Sequence, residues 1–198
     1  MKIIFIRHGQ TDSSLHQRLC GSRTNEPLNK TGINQIQRLK SFLKIYNPTF
    51  FYYSPLLRAK QSVEIMLERK NIKVIELSEL KEIDFGDWEG LTFEELNKNH
   101  SKDFTKWMDV PDQFTPPNGE SVSMLCSRIE KVIKILLDSL DSTCFVFTHG
   151  GPIRAVLINL LQIPLSNYWN LKIPHGSATY VEYNNNRFYL HYLGRVNG

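Results

Sequence analysis

The chain has 198 residues, 41% of them hydrophobic and 22% charged, with a net charge of +4. That length and apolar share suit one sizeable core in a single domain and exclude a disordered or low-complexity chain. The positive residues are scattered with no run of five or six, which argues against a nucleic-acid arm or polybasic membrane segment and leaves room for a local cationic pocket.

Lys2 to Ile6 is a short apolar run read as a buried strand. It is too short for the apolar region of a signal peptide, and it ends in Arg7 and His8. Residues 8–28 are polar and rich in Gly, Ser, Thr and Asn, and read as loop. From Thr31 to Tyr46 the residues Ile33, Ile36, Leu39, Phe42 and Leu43 follow a helical period. Phe50 to Tyr53 is a second strand, and Pro55 opens a helix carrying Leu56, Ala59, Val63, Ile65 and Met66. Lys73 to Ile75 is a candidate short strand.

Thr92 followed by Glu95 has the form of a capping box and marks a helix start. Pro111, Pro116 and Pro117 make residues 109–119 irregular. Ser121 to Leu140 carries a long apolar stripe and is an amphipathic helix. Cys144 to Thr148 is a buried strand, and Pro152 suits the first turn of a helix running to Leu161. Ala178 to Tyr183 and Arg187 to Leu193 flank Asn184-Asn185-Asn186 as a hairpin. No apolar run approaches the ~20 residues of a membrane span. Cys20, Cys126 and Cys144 follow no disulfide or CxxC spacing, so a reducing cytoplasm is the expected home.

Alternating strands and helices predict an α/β layered fold with a largely parallel sheet. Ligands of such sheets sit beyond the carboxyl ends of strands. That edge receives His8 after the first strand, Ser54 and Arg58 after the second, and His149 after the strand that begins at Cys144. Arg7-His8-Gly9 and His149-Gly150-Gly151-Pro152 share one design, a histidine and glycine at a strand end. The helix start beyond His149 adds backbone N–H groups and partial positive charge. Two imidazoles, the Arg7 and Arg58 guanidiniums and a helix end describe a phosphate pocket. Cationic surroundings keep an imidazole neutral and able to attack phosphorus. A carboxyl group must then protonate the leaving oxygen, and Glu82, Asp84, Asp87 and Glu89 all stand in one loop as candidates.

Arg7-His8-Gly9-Gln10-Thr11 resembles the Arg-His-Gly-Glu-Thr signature of the histidine phosphatase superfamily, the phosphoglycerate mutase-like enzymes. Ser54 to Ser62 is similar to that family's Ser-x-Leu-x-Arg-Ala-x-Gln-Thr block, and Phe147 to Arg154 to its second-histidine motif. Cys20-Gly21-Ser22 with Pro27-Leu28-Asn29 and Gly32 resembles the segment leading into its first helix. The resemblance implies a three-layer α/β/α sandwich, one domain over 1–198, with a small helical and loop cap at about 92–117. It implies His8 as phosphorylated nucleophile, Glu82 as proton donor, and Arg7, Arg58 and His149 around the phosphoryl group. Ser14, Gly21, Ser22 and Gly150 fall at phosphate- or substrate-binding positions. Ser14 replaces the usual Asn and Gln10 the usual Glu, and the shorter Ser14 loses reach.

The resemblance further implies a phosphomonoester hydrolase with no metal or other cofactor and a small phosphorylated metabolite as partner. A homodimer is compatible with it; nucleic acid and membrane are not expected. The chain lacks the Glu-Arg-x-Tyr-Gly of the mutases. Phe85-Gly86-Asp87-Trp88-Glu89, Trp107 and Pro117-Asn118-Gly119-Glu120 are similar to α-ribazole phosphatases of cobalamin biosynthesis and are shared with broad-specificity relatives. A mutase and a phosphate-binding pseudo-enzyme are the remaining alternatives.

Several residues keep a plain structural reading at this level. His16, His100, His175 and His191 are expected to be structural, Arg154 structural or an ion-pair partner, and Phe85, Trp88 and Trp107 packing. The spacing His8, Asp12, His16 would suit a metal only on a helix, and that stretch reads as loop.

Overall fold

A computed structural model of the chain describes residues 1–67, 72–138 and 142–197. Its strands are β1 (Lys2–Arg7), β2 (Phe50–Tyr53), β3 (Lys73–Glu76), β4 (Thr143–Thr148), β5 (Ala178–Asn184) and β6 (Arg187–Arg195). Its α-helices are α1 (Asp12–Leu15), α2 (Lys30–Leu43), α3 (Leu57–Met66), α4 (Phe93–Asn99), α5 (Ser101–Asp109), α6 (Val122–Leu137) and α7 (Gly150–Leu161). The strands form one sheet in the order β3-β2-β4-β1-β5-β6. β3, β2, β4 and β1 are parallel, and β5 and β6 add an antiparallel hairpin.

Central β1 and β4 are apolar at nearly every position because both of their faces are covered. Ile4, Ile6, Phe145 and Phe147 pack with Ile36, Leu39 and Leu43 of α2 and with Val63 and Met66 of α3. On the opposite face Ile3, Phe5, Cys144 and Val146 pack with α6 and α7. The period-2 alternation of the strands therefore separates two cores, and the architecture is a three-layer α/β/α sandwich.

The helix caps explain where the helices begin. The Asn29 side chain accepts from Gly32 N (2.9 Å) and the Ser121 hydroxyl from Met124 N (3.1 Å). The Thr92–Glu95 box closes in both directions, with Glu95 N donating to Thr92 Oγ1 (3.1 Å) and Thr92 N to Glu95 Oε2 (2.8 Å). In the hairpin, Asn185 (φ 50°) and Asn186 (φ 59°) both take the left-handed conformation of a two-residue turn.

Some expectations need correction. The polar stretch 8–28 contains α1, a single turn closed by Thr11 and Ser14. The helix after Pro55 starts at Leu57, because Leu56 is still extended (φ −67°, ψ 137°). Ile33, one of the apolar residues on the helical period, lies in the first turn of α2 and is 37% exposed. The region 92–117 holds a second helix, α5, ahead of the irregular proline segment. Leu140, the expected end of the long helix, lies outside the described residues.

Candidate active site

Parallel β1, β2 and β4 end at the same edge, and backbone hydrogen bonds pin the residue after β1 and the residue after β2 to β4. His8 N donates to Thr148 O (3.1 Å), and Ser54 N donates to Phe147 O (3.0 Å). The His8 and His149 rings meet edge-on, with centroids 4.9 Å apart.

The tautomer of His8 is set by its partner. Its Nδ1 lies 2.7 Å from Gly9 O, an oxygen that can only accept, so Nδ1 carries the proton and Nε2 keeps its lone pair. Burial, followed by His149, Arg58, His175 and Arg7, holds the ring well below the usual histidine range and therefore neutral. His149 is fixed by the same logic. Arg58 Nε, a pure donor, points at its Nδ1 (3.2 Å), which leaves Nε2–H to donate to Ser54 Oγ (2.8 Å).

A cavity of about 380 Å³ opens over His8. Of the expected residues, Arg7, His8, Ser14, Glu82 and Gly150 line it. Half-buried Arg7 donates from Nη1 to Ile173 O and from Nη2 to His175 Nε2 (2.7 Å), while its buried Nε has no hydrogen-bond partner. Such an orphaned guanidinium donor is costly unless an anion completes it. Burial lowers Arg7 to about 10, which leaves it charged. Glu82 is 7% exposed; its Oε1 accepts from Ile83 N (2.9 Å) and Gly151 N (3.0 Å). A Cβ on residue 151 would lie 2.2 Å from Glu82 Oε1, so glycine permits this approach.

The remaining expected residues are placed differently. Arg58 and His149, both wholly buried, are not on the cavity wall: His149 lies against His8, and Arg58 against His149. Arg58 also donates to Thr24 O (2.6 Å), Gly21 O (2.9 Å) and Cys20 O (3.3 Å). Gly21 and Ser22 do not line this cavity. Their amides donate to Glu89 Oε2 (3.0 Å) and Ile83 O (3.1 Å). The Ser14 hydroxyl donates to Thr11 O (2.9 Å), so its proton is already committed to the backbone. The competitor carboxylates are also accounted for: Asp84 pairs with Arg23 (2.8 Å), Asp87 accepts from Asn118 Nδ2 (3.0 Å), and Glu89 ties down the 21–24 loop.

Two residues given structural readings belong to the cavity. His175 lies 5.4 Å from His8 between ring centroids, and burial beside Arg7 pushes it down to about 3. It precedes β5, whose antiparallel run starts where β1 ends. Arg154 stands one turn into α7, and its guanidinium lies over the Tyr168 and Trp169 rings at 5.5 and 5.4 Å. Phe85 and Trp107, expected to pack, do both: they are buried and face the cavity together with Phe93 and Trp169. Cys20 also lines it, and burial pushes its thiol up to about 12, so it stays protonated. Among the described residues no group of three or more His, Cys, Asp or Glu is placed to hold a metal ion.

The chain is similar in sequence and fold to known proteins. The chain is 27% identical over 182 residues to phosphoserine phosphatase 1 of Hydrogenobacter thermophilus, covering 91% of this chain and 86% of that protein. It is 25% identical over 185 residues to the adenosylcobalamin/α-ribazole phosphatase of Escherichia coli K12, covering 93% and 91%. The crystal structure of the α-ribazole phosphatase from Shigella flexneri superposes with a TM-score of 0.88 at 24% identity, over 98% of this chain and 96% of that one. The model of the histidine phosphatase superfamily (branch 1) matches residues 3–195, and with the histidine edge and the sandwich fold this establishes that the chain belongs to that family as a phosphatase.

Proposed function

We propose that the protein hydrolyses phosphate monoesters through a phosphohistidine on His8, without a metal. The observation that carries this reading is the fixed His8 tautomer, which leaves a neutral Nε2 on a residue that lines the cavity together with Arg7 and Glu82. Nε2 attacks phosphorus in line, Glu82 delivers its proton to the departing oxygen, and the leaving alcohol diffuses away. Glu82 then takes a proton from water, which attacks the phosphohistidine and releases phosphate. Arg7 and the N-terminus of α7 at Gly150 meet the phosphoryl oxygens. Arg58 and His149 support the charge from immediately behind His8.

For the leaving group we infer a planar, uncharged or anionic alcohol, with α-ribazole 5′-phosphate as the leading candidate substrate. Phe85, Phe93, Trp107 and Trp169 offer aromatic surface for a ring, which supports this reading. Glu82 is the lone carboxylate among the lining residues, against Arg7, Arg18 and Arg154. An ammonium group such as that of phosphoserine would meet three guanidiniums and one already bonded carboxylate. A small metabolite as partner, no nucleic acid or membrane partner, and a cytoplasmic location accompany the proposal. Among the described residues no helix is long and apolar enough to cross a membrane, and the three cysteines are free.

The experiment compares kcat/KM for α-ribazole 5′-phosphate, O-phosphoserine, sugar phosphates and 3-phosphoglycerate, with chelator present. The expected result is activity that survives chelator and a preference of about tenfold or more for the ribazole ester, worth about 1.4 kcal/mol in the transition state. A flat profile rejects the leaving-group inference and makes the enzyme a broad-specificity phosphatase. His8→Ala is expected to abolish turnover and acid-labile phosphoenzyme with the fold intact; residual turnover near wild type rejects the nucleophile.

A further inference from the structure

We propose that Arg128, in its ion pair with Glu120, is a positioning residue that sets the reach of Glu82 toward the leaving-group oxygen; this rests on Glu82 being the proton donor. Arg128 lies on α6 and does not line the cavity over His8. Its Nε and Nη2 form a fork on the Glu120 carboxylate at 2.9 and 2.7 Å. Its Nη1 donates to Glu79 O (2.5 Å) and Lys81 O (2.9 Å), the backbone immediately before Glu82.

Glu120 grips the chain on the other side. Its Oε2 accepts from Asp84 N (3.3 Å), and its own amide donates to Asp84 O (2.8 Å). One ion pair thus brackets Glu82 from residue 79 to residue 84. The two side chains are 22% and 14% exposed, so the pair is largely sheltered from solvent. Leu80 O, between the two Arg128 contacts, accepts from Thr148 Oγ1 (2.7 Å) on the strand that delivers His149. The bracket therefore references the Glu82 backbone to the same strand edge that carries the histidines. Only the planar guanidinium can bind a carboxylate with one edge and two carbonyls with the other.

The test uses the full chain and two esters of the same phosphoryl group. p-Nitrophenyl phosphate loses a stable phenolate that departs without a proton, whereas glycerol phosphate loses an alkoxide that requires one. The ratio kcat/KM reports the step up to phosphohistidine formation for both. Arg128→Lys keeps the charge and loses the fork. Glu120→Gln keeps the shape and weakens the pair, and it carries the test where Arg128→Lys does not fold. General-acid transfer contributes ~10²–10⁴ in rate, so its misplacement is expected to cost about tenfold or more on glycerol phosphate and less than about threefold on p-nitrophenyl phosphate. Inhibition by inorganic phosphate is expected to stay within about twofold of wild type, because the phosphate contacts are untouched. Equal losses on both esters, or no loss on either, overturn the proposal. Glu82→Gln on the same esters separates the two levels. If it too loses both equally, the proton-donor assignment fails; if it alone is selective, the positioning role fails.

Discussion

One methyl group tests how closely Glu82 is held. At Gly151 a Cβ would stand 2.2 Å from Glu82 Oε1 and 3.0 Å from Tyr168 Oη, so Gly151→Ala must push the carboxylate away from the α7 amide. Displacements of about 1 Å in a catalytic group cost as much as about 10²-fold. We expect kcat/KM on an alkyl phosphate to fall about 10- to 100-fold while the circular dichroism spectrum is kept; wild-type kinetics would show that the carboxylate needs no such tether. The roles of Arg58 and Glu82 rest on the family motifs, whereas the site residues legible from the strand pattern alone share one property, a position directly after a parallel strand. His8 and His149 are of this kind. His175 is not, because it reaches the pocket from the start of an antiparallel strand, and nothing in the local sequence marks that direction. Pro174-His175-Gly176 ahead of a strand is the available signal. Arg154 returns from one turn inside a helix, a placement that depends on how α7 meets the sheet.

Elements show the same division between local and tertiary causes. The α4 start is legible because a capping box is local chemistry, and it yields a measurable cost. Thr92→Ala removes the acceptor for Glu95 N, so the urea midpoint is expected to shift by about 1 kcal/mol of stability. Because α4 carries Phe93 to the cavity, KM for a bulky ester is expected to rise in the same variant. An unchanged midpoint would mean that packing of Leu96, which is wholly buried, fixes α4 without its cap. By contrast α5 is not legible although Phe104, Trp107 and Met108 have helical spacing, because nine residues between polar stretches give too short a pattern. α1, with four residues, has no period at all. The strand bounds are legible to the residue at β2, where bulky aromatic residues stop sharply at Ser54-Pro55. The hairpin needs only its asparagines. The two-core sandwich itself arises from apolar strands alternating with amphipathic helices, which is why the fold is more legible than the far wall of the cavity.

At the scale of the whole molecule, the active-site histidines couple stability to pH. His8, His149 and His175 all lie below the usual histidine value, chiefly through burial and then through neighbouring cationic or imidazole groups, His175 down to about 3. The native state therefore leaves these rings unprotonated at pH values where the unfolded chain, with histidines near 6.5, takes up protons. Stability rises with pH wherever the unfolded state binds more protons. The contribution is fully present above about pH 6.5 and is lost as pH falls below that value toward the native-state values. Each ring contributes a slope of at most about 1.4 kcal/mol per pH unit, against a total stability of about 5–15 kcal/mol. Urea unfolding is expected to show little change from pH 8.5 to 7.5 and a clear loss from pH 6.5 to 5. His175→Asn is expected to reduce that slope by as much as one proton. A flat stability between pH 6.5 and 5 would show that these rings accept protons in the native state, and the neutral His8 on which nucleophilic attack depends would then be untenable at mildly acidic pH. Bound phosphate should oppose the loss, because an anion among Arg7, His8 and His175 favours protonated imidazole and binds the native state alone. The same burial and, behind it, positive field that keep His8 neutral for attack thus make the folded protein acid-sensitive, and bound phosphate is expected to relieve that sensitivity by offsetting the field.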